Sequence, residues 1–182
     1  MKLLPKRLLS AASFVEKGSV IADVGCDHGL LPHYLLKEGI AEYAYLIDKN
    51  RGPLLRAGEN TERYGLTGKC ALVLSDGLSG LPDYIRYSEV TLKAPDTVII
   101  TGMGGPLITK IIREAPTELK EKVKSWILSP QSLIEEFRAD IKDMGLSVIE
   151  EKEVREKKQY MIFKVAKRGI VYEMQKDPVS PL

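Results

Sequence analysis

Ser19-Val20-Ile21-Ala22-Asp23-Val24-Gly25-Cys26-Asp27-His28-Gly29 is the stretch on which the fold turns. Its first six residues form a short, mostly apolar run rich in β-branched side chains that ends at a glycine, the signature of a buried parallel strand. A helix is expected from about His28 to Glu38, stopped at Gly39. In an open α/β sheet, the loop at the carboxyl end of such a strand is where a ligand sits. Gly25 lets the backbone turn tightly beside it, and Gly29 lets the helix start close to the sheet. Asp23 and Asp27 offer acceptors suited to an ammonium or to ribose hydroxyls, and His28 caps or lines the helix start. One G-x-x-x-G is weak evidence alone, so the neighbouring elements decide its meaning.

Upstream, Leu8, Leu9, Ala12 and Val15 give residues 6–15 an amphipathic helical face. Downstream the unit repeats: a strand over Tyr43 to Asp48, a helix over Pro53 to Tyr64 and a strand over Cys70 to Leu74. Asp96 to Thr101 is the fourth strand, Pro106 to Glu114 a helix, Trp126 to Leu128 a fifth short strand and Ser132 to Met144 a helix. Leu146 to Val154 and Gln159 to Val165 then read as a hairpin across a charged turn. Five strands separated by helices and followed by a terminal antiparallel pair match the doubly wound α/β, seven-stranded, Rossmann-like sheet of class I methyltransferases. A plain dinucleotide-binding domain keeps its sheet parallel.

Two further acids stand at strand ends. Asp48, followed by Lys49, is placed to receive two ribose hydroxyls, and Asp76-Gly77 to accept from an adenine amino group. An adenosine ligand satisfies both. The loop is acidic and has no second close glycine for a pyrophosphate, which favours the sulfonium of S-adenosylmethionine over a diphosphate. Neither G-x-G-x-x-G nor Y-x-x-x-K is present, so a nicotinamide oxidoreductase is disfavoured. A bare RNA-binding module would prefer lysines to these acids.

Thr101-Gly102-Met103-Gly104-Gly105-Pro106 ends the fourth strand, expected beside the first, where a methyl acceptor docks. Its glycines would let a flat base approach the backbone, and Met103 could pack on cofactor or base. The loop holds no group able to remove a proton. Ring N1 of adenine needs none, because its in-plane lone pair attacks directly, and positioning then supplies most of the catalysis. Asp23, Asp27, Met103 and Gly104 are the catalytic candidates.

The 182 residues suit one domain, with 44% hydrophobic and 29% charged residues and a net charge of +2. No run reaches the length of a membrane span and no secretory leader is visible, so a cytoplasmic enzyme is expected. Cys26 and Cys70 lack metal-site spacing, and neither they nor His28 and His33 suggest a metal. Basic residues gather in 1–20 and 151–176 and could face phosphates if folding brings them together.

Taken together, Lys6-Arg7-Leu8, Asp23-Val24-Gly25-x-Asp27-His28, Asp76-Gly77-Leu78, Gly102-Met103-Gly104-Gly105 and a segment centred on Pro130 resemble the bacterial TrmK-type tRNA (adenine-N1) methyltransferases, over about residues 5–166. The resemblance implies methylation of N1 of the adenine at position 22 of tRNA. It implies S-adenosylmethionine at Gly25, Asp27, His28, Asp48, Asp76 and Gly77, and Asp23, Cys26, Lys49, Gly102 and Met103 complete the expected cofactor site. Lys6, Arg7, Gly104, Gly105 and Gln131 would meet the RNA. The family shows Gln-Pro-Asn where this chain has Ser129-Pro130-Gln131, which displaces the amide. Family members usually continue into a helical, coiled-coil-like domain. Residues 1–168 are therefore expected to be the catalytic domain and 169–182 a tail or the start of that second domain. A different RNA, small-molecule or protein acceptor is the alternative, and a monomer is the default assembly.

Overall fold

A computed structural model describes residues 4–168, so the expected tail at 169–182 lies outside the described residues. The strands are β1 (Ser19–Val24), β2 (Ala41–Asp48), β3 (Cys70–Leu74), β4 (Thr97–Met103), β5 (Ser125–Pro130), β6 (Leu146–Arg155) and β7 (Gln159–Lys167). They form one sheet in the order β3-β2-β1-β4-β5-β7-β6. The first five strands run parallel, and β7 inserts antiparallel between β5 and β6. This is the expected seven-stranded sheet with its terminal hairpin. The helices are α1 (Lys6–Ala12), α2 (Leu30–Lys37), α3 (Arg51–Arg63), α4 (Leu81–Arg86), α5 (Gly105–Glu114), α6 (Thr117–Lys122) and α7 (Ile134–Asp143).

Helices cover both faces, which is why every residue of β1 is buried and why its sequence has no polar alternation. Ile21 packs with Leu8, Leu31 and Leu54 on the side of α1, α2 and α3. Val20, Ala22 and Val24 pack with Ile108, Ile111 and Phe137 on the side of α5 and α7. Because β2 and β3 lie on one side of β1 and β4 on the other, the strand order reverses at β1 and β4. Their carboxyl ends flank the crevice where open sheets bind ligands.

Several boundaries differ from expectation for local reasons. Helix α1 stops at Ala12, because Phe14 and Val15 turn back through N–H bonds to Ala11 and Ala12 and are buried without being helical. Helix α2 begins at Leu30, since Gly25 to Gly29 form the ligand loop. Strand β4 runs on to Met103, which pairs with Pro130 after a register shift. Helices α4 and α6, six residues each, have no counterpart in the sequence reading. Two of the basic residues of the hairpin are engaged by protein groups. Lys152 donates to Ser13 Oγ at 2.9 Å and Lys164 pairs with Glu16 at 3.0 Å, so both tie the hairpin to the end of α1. Among the described residues, no helix is long and apolar enough to cross a membrane.

His33 is fully buried on α2, its Nε2 2.8 Å from Thr61 Oγ1. Thr61 Oγ1 also lies 3.0 Å from Ala57 O, and His33 Nδ1 has no partner among the described residues. Burial lowers its pKa from 6.5 to about 4. Between those values the unfolded chain takes a proton that the folded one refuses, so stability falls as pH drops through this window. Relative to a His33→Gln variant, the wild type is expected to lose about 3 kcal/mol between pH 7 and pH 4. Urea titrations at the two pH values measure that difference, and a constant gap would contradict it.

Candidate active site

Two cavities meet at Gly25, at the carboxyl ends of β1, β2 and β4. The first, of about 300 Å³, is lined by Asp23 and the Gly25 to His28 loop, by Thr101 and Gly102 from β4, and by Arg7 and Gln131 at its rim. The second, of about 180 Å³, is lined by Asp48, Lys49 and Asn50 after β2, by Ser75, Asp76 and Gly77 after β3, and by Met103, Leu107 and Ile111. A larger recess of about 390 Å³ lies around Trp126 and Leu146, at the other end of β5, and no carboxylate lines it.

The loop that separates the cavities is tied to the sheet. Gly25 and Cys26 both donate to Ile47 O, at 2.8 and 3.0 Å, and Gly29 closes a turn onto Cys26 O at 2.8 Å. Gly25 has φ +74, and a Cβ there would collide with Met103 Cε, so the Met103 side chain occupies the space a larger residue would need. Asp27 also adopts a left-handed backbone, with φ 50, which aspartate tolerates better than most residues. Its exposed carboxylate lies 3.6 Å from His28 Nε2.

Asp23 differs from the other acids because its side chain is buried. No hydrogen bond or ion pair reaches its carboxyl among the described residues. Burial first, and the Asp48 carboxylate second, raise its pKa from 3.8 to about 7. Asp48 accepts the Asn50 N–H at 2.8 Å, and Ser75 N–H donates to the Asp48 carbonyl at 3.1 Å. Burial pushes the Cys26 thiol up, and Asp23, Asp48 and Asp27 add to the effect, so it stays a neutral packed group rather than a nucleophile. Both cysteines are free.

Most of the sequence-read residues therefore converge. Asp23, Gly25, Cys26, Asp27, His28, Gly102, Arg7 and Gln131 share one cavity, and Asp48, Lys49, Asp76, Gly77 and Met103 the other. Gly104 and Gly105 line neither. They pack beneath the loop after β5, where a Cβ on Gly104 would stand 2.9 Å from Ser132 Oγ, and one on Gly105 2.8 Å from Ser132 O. Lys6 is exposed on α1 and also lies outside both cavities. The sequence reading missed the apolar wall of Leu107 and Ile111, which the period-3.6 face of α5 could have signalled. It also missed the hairpin tip at the rim. There Lys158 donates to Gln131 Oε1 at 3.2 Å, and Glu156 accepts the Arg7 N–H at 3.3 Å.

The residues suit an adenosyl sulfonium. Asp23, Asp27, Asp48 and Asp76 outnumber the cations around the two cavities, and a buried carboxyl without a partner faces the first. Gly25, lacking a side chain, makes room between them for Met103.

Comparison with known proteins agrees with this arrangement. Residues 4–163 match a family model described as a methyltransferase domain. The chain is 34% identical over 127 residues to the tRNA (adenine(22)-N(1))-methyltransferase of Bacillus subtilis, covering 70% of this chain and 49% of that protein. It thus spans about half the length of that curated relative. Streptococcus pneumoniae Sp1610 in complex with S-adenosyl-L-methionine is similar at a TM-score of 0.79 and 31% identity, over 91% of this chain and 73% of that one. TrmK of M. capricolum in complex with S-adenosyl-homocysteine is similar at a TM-score of 0.78 and 28% identity, over 91% of this chain and 69% of that one. The chain belongs to the methyltransferase domain family and, within it, to the TrmK family.

Proposed function

We propose that this chain transfers a methyl group from S-adenosylmethionine to N1 of an adenine in tRNA, with position 22 as the target. The observation that carries the reading is the buried Asp23 carboxyl in the first cavity, whose β4 loop holds no general base, beside a second cavity lined by Asp48 and Asp76. S-adenosylmethionine supplies a methyl group on a sulfonium, already activated for transfer.

Within this reading, Asp48 receives the ribose hydroxyls while the Asn50 N–H steadies its carboxylate. Asp76 accepts from the adenine amino group, and Leu107, Ile111 and Met103 close on the ring from the side of α5. Lys49 and Gly77 border the same space. Asp23, Asp27 and His28 face the cationic end, with Gly25, Cys26 and Gly102 contributing backbone. Arg7, Gly102 and Gln131 border the acceptor. Gly104 and Gly105 act by setting the loop, and Lys6 by long-range attraction to phosphate. Adenine N1 attacks without losing a proton, so these side chains orient the base and exclude water rather than deprotonate it. The methylated base is cationic, and the carboxylates of Asp23 and Asp27 stabilise the charge as it develops.

Incubation of the protein with methyl-labelled S-adenosylmethionine and unmodified bulk tRNA, followed by nucleoside analysis, tests the proposal. Label is expected in 1-methyladenosine. Label in another nucleoside, or in none, overturns the acceptor assignment.

A further inference from the structure

We infer that Lys158 is a positioning residue that locks the Gln131 side-chain amide with its N–H donors turned toward the methyl acceptor. The inference rests on the proposed function and adds to it a device that reads the acceptor's edge.

Gln131 is anchored at its root, because its backbone N–H donates to Met103 O at 2.9 Å and so ties the exit of β5 to the end of β4. An exposed glutamine amide can ordinarily rotate at little cost. Here the Lys158 ammonium, which can only donate, holds Oε1 at 3.2 Å. A half-turn of the amide would set two donors against each other. Nε2 is thereby turned toward Gly102, 3.7 Å from the position a Cβ there would take, on the wall of the cavity that also holds Asp23.

Lys158 is itself held in place. The Glu156 N–H donates to Lys158 O at 3.0 Å and closes the hairpin turn, and Nζ stands 5.2 Å from the centre of the Tyr160 ring. Arg7 stands 5.5 Å from the same ring centre, and Glu156 binds Arg7 back onto the turn at 3.3 Å. The hairpin tip therefore carries a cation whose direction is set by an aromatic ring and a closed turn. Its reach ends at the Gln131 carbonyl oxygen.

The consequence is chemical. The acceptor cavity presents a fixed N–H donor at Gln131, which selects an acceptor whose facing atom is an unprotonated ring nitrogen or a carbonyl oxygen. A base presenting an amino group there would set donor against donor. With adenine attacking through N1, a second ring nitrogen is the matching atom.

Methyl transfer to unmodified tRNA by Lys158→Met, Gln131→Ala, Gln131→Glu and the Lys158→Met/Gln131→Ala double variant tests this. One charge-assisted hydrogen bond sets the scale, so kcat/KM is expected to fall about tenfold for Lys158→Met and about 30-fold for both Gln131 variants. The double variant is expected to match Gln131→Ala, with S-adenosylmethionine affinity unchanged throughout and Lys158→Arg largely rescued. Gln131→Glu keeps and strengthens the pairing with Lys158 but replaces the donor by an acceptor, so wild-type activity in that variant would show a mere latch and overturn the inference. So would multiplicative losses of about 300-fold in the double variant, because Lys158 would then act on RNA independently. A wild type that leaves tRNA unlabelled refutes the proposed function instead. The locking is read without any substrate from the side-chain amide resonances of Gln131, which Lys158→Met is expected to shift. Unshifted resonances overturn it.

Discussion

Asp23→Asn is expected to weaken S-adenosylmethionine binding about 100-fold at pH 8 and to make what affinity remains independent of pH. The scale is that of removing one partner of a buried ion pair, a few kcal/mol. The pH dependence follows from the pKa of about 7 in the ligand-free protein. A cation beside Asp23 binds the ionised form, so wild-type affinity should be level above pH 7.5 and fall about tenfold per unit well below pH 7. At pH 6 only about a tenth of the carboxyls are ionised. Folding responds in the opposite sense. The folded pKa lies above the ordinary 3.8, so the group's contribution to stability is complete below pH 3.8 and is lost as pH rises through 7, about 4 kcal/mol in all. The variant should therefore melt at a higher temperature than the wild type at pH 8 while binding worse. Calorimetric titrations from pH 5.5 to 8.5, with thermal melts alongside, measure both effects. A flat wild-type profile would refute the role given to Asp23.

Gly105→Ala is expected to lower methyl transfer by about two orders of magnitude and stability by about 2 kcal/mol, with S-adenosylmethionine affinity nearly unchanged. The new Cβ would stand 2.8 Å from Ser132 O, 3.1 Å from Leu133 O and 3.2 Å from Phe137 Cβ. Two of these neighbours are backbone oxygens that cannot swing aside, and the Gly105 N–H donates to the same Ser132 oxygen at 3.1 Å. Relief requires the segment after β5 to move, and Gln131 moves with it. Gly39→Ala is the control, since no atom lies within 4 Å of its Cβ and its only cost is the strain of φ +66. Equal melting temperatures for the Gly105 and Gly39 variants would show that the segment yields freely.

Strands β1 and β3 are legible to the residue because each is a short apolar run bounded by polar or glycine residues. The terminal hairpin is legible from its two apolar runs and charged turn, but the insertion of β7 between β5 and β6 is not, since pairing preference along a strand says nothing of strand order. Helices α4 and α6 are too short to show a periodic face. At the site, the four acids are visible because strand ends project them in sequence order, Asp23 and Asp27 at β1, Asp48 at β2 and Asp76 after β3. Gln131 is named from the resemblance, but its pairing with Lys158 is not legible, because the contact joins a hairpin tip to a strand exit 27 residues away and leaves no local pattern. From the sequence, Gly105 is expected to leave space for a base. It is closed by backbone from another loop, which only packing reveals.

The ties between α1 and the hairpin also set a schedule for the chain on the ribosome. Lys152 to Ser13, Lys164 to Glu16 and Glu156 to Arg7 join residues 139, 148 and 149 positions apart. Helix α1 can pack on β1 and α2 through Leu8 beforehand, but its end is pinned only once β6 and β7 are in place. The adenosine half, which draws most of its wall from residues 24–77, needs far less of the chain, whereas the acceptor half lacks its Arg7 rim until the hairpin has closed.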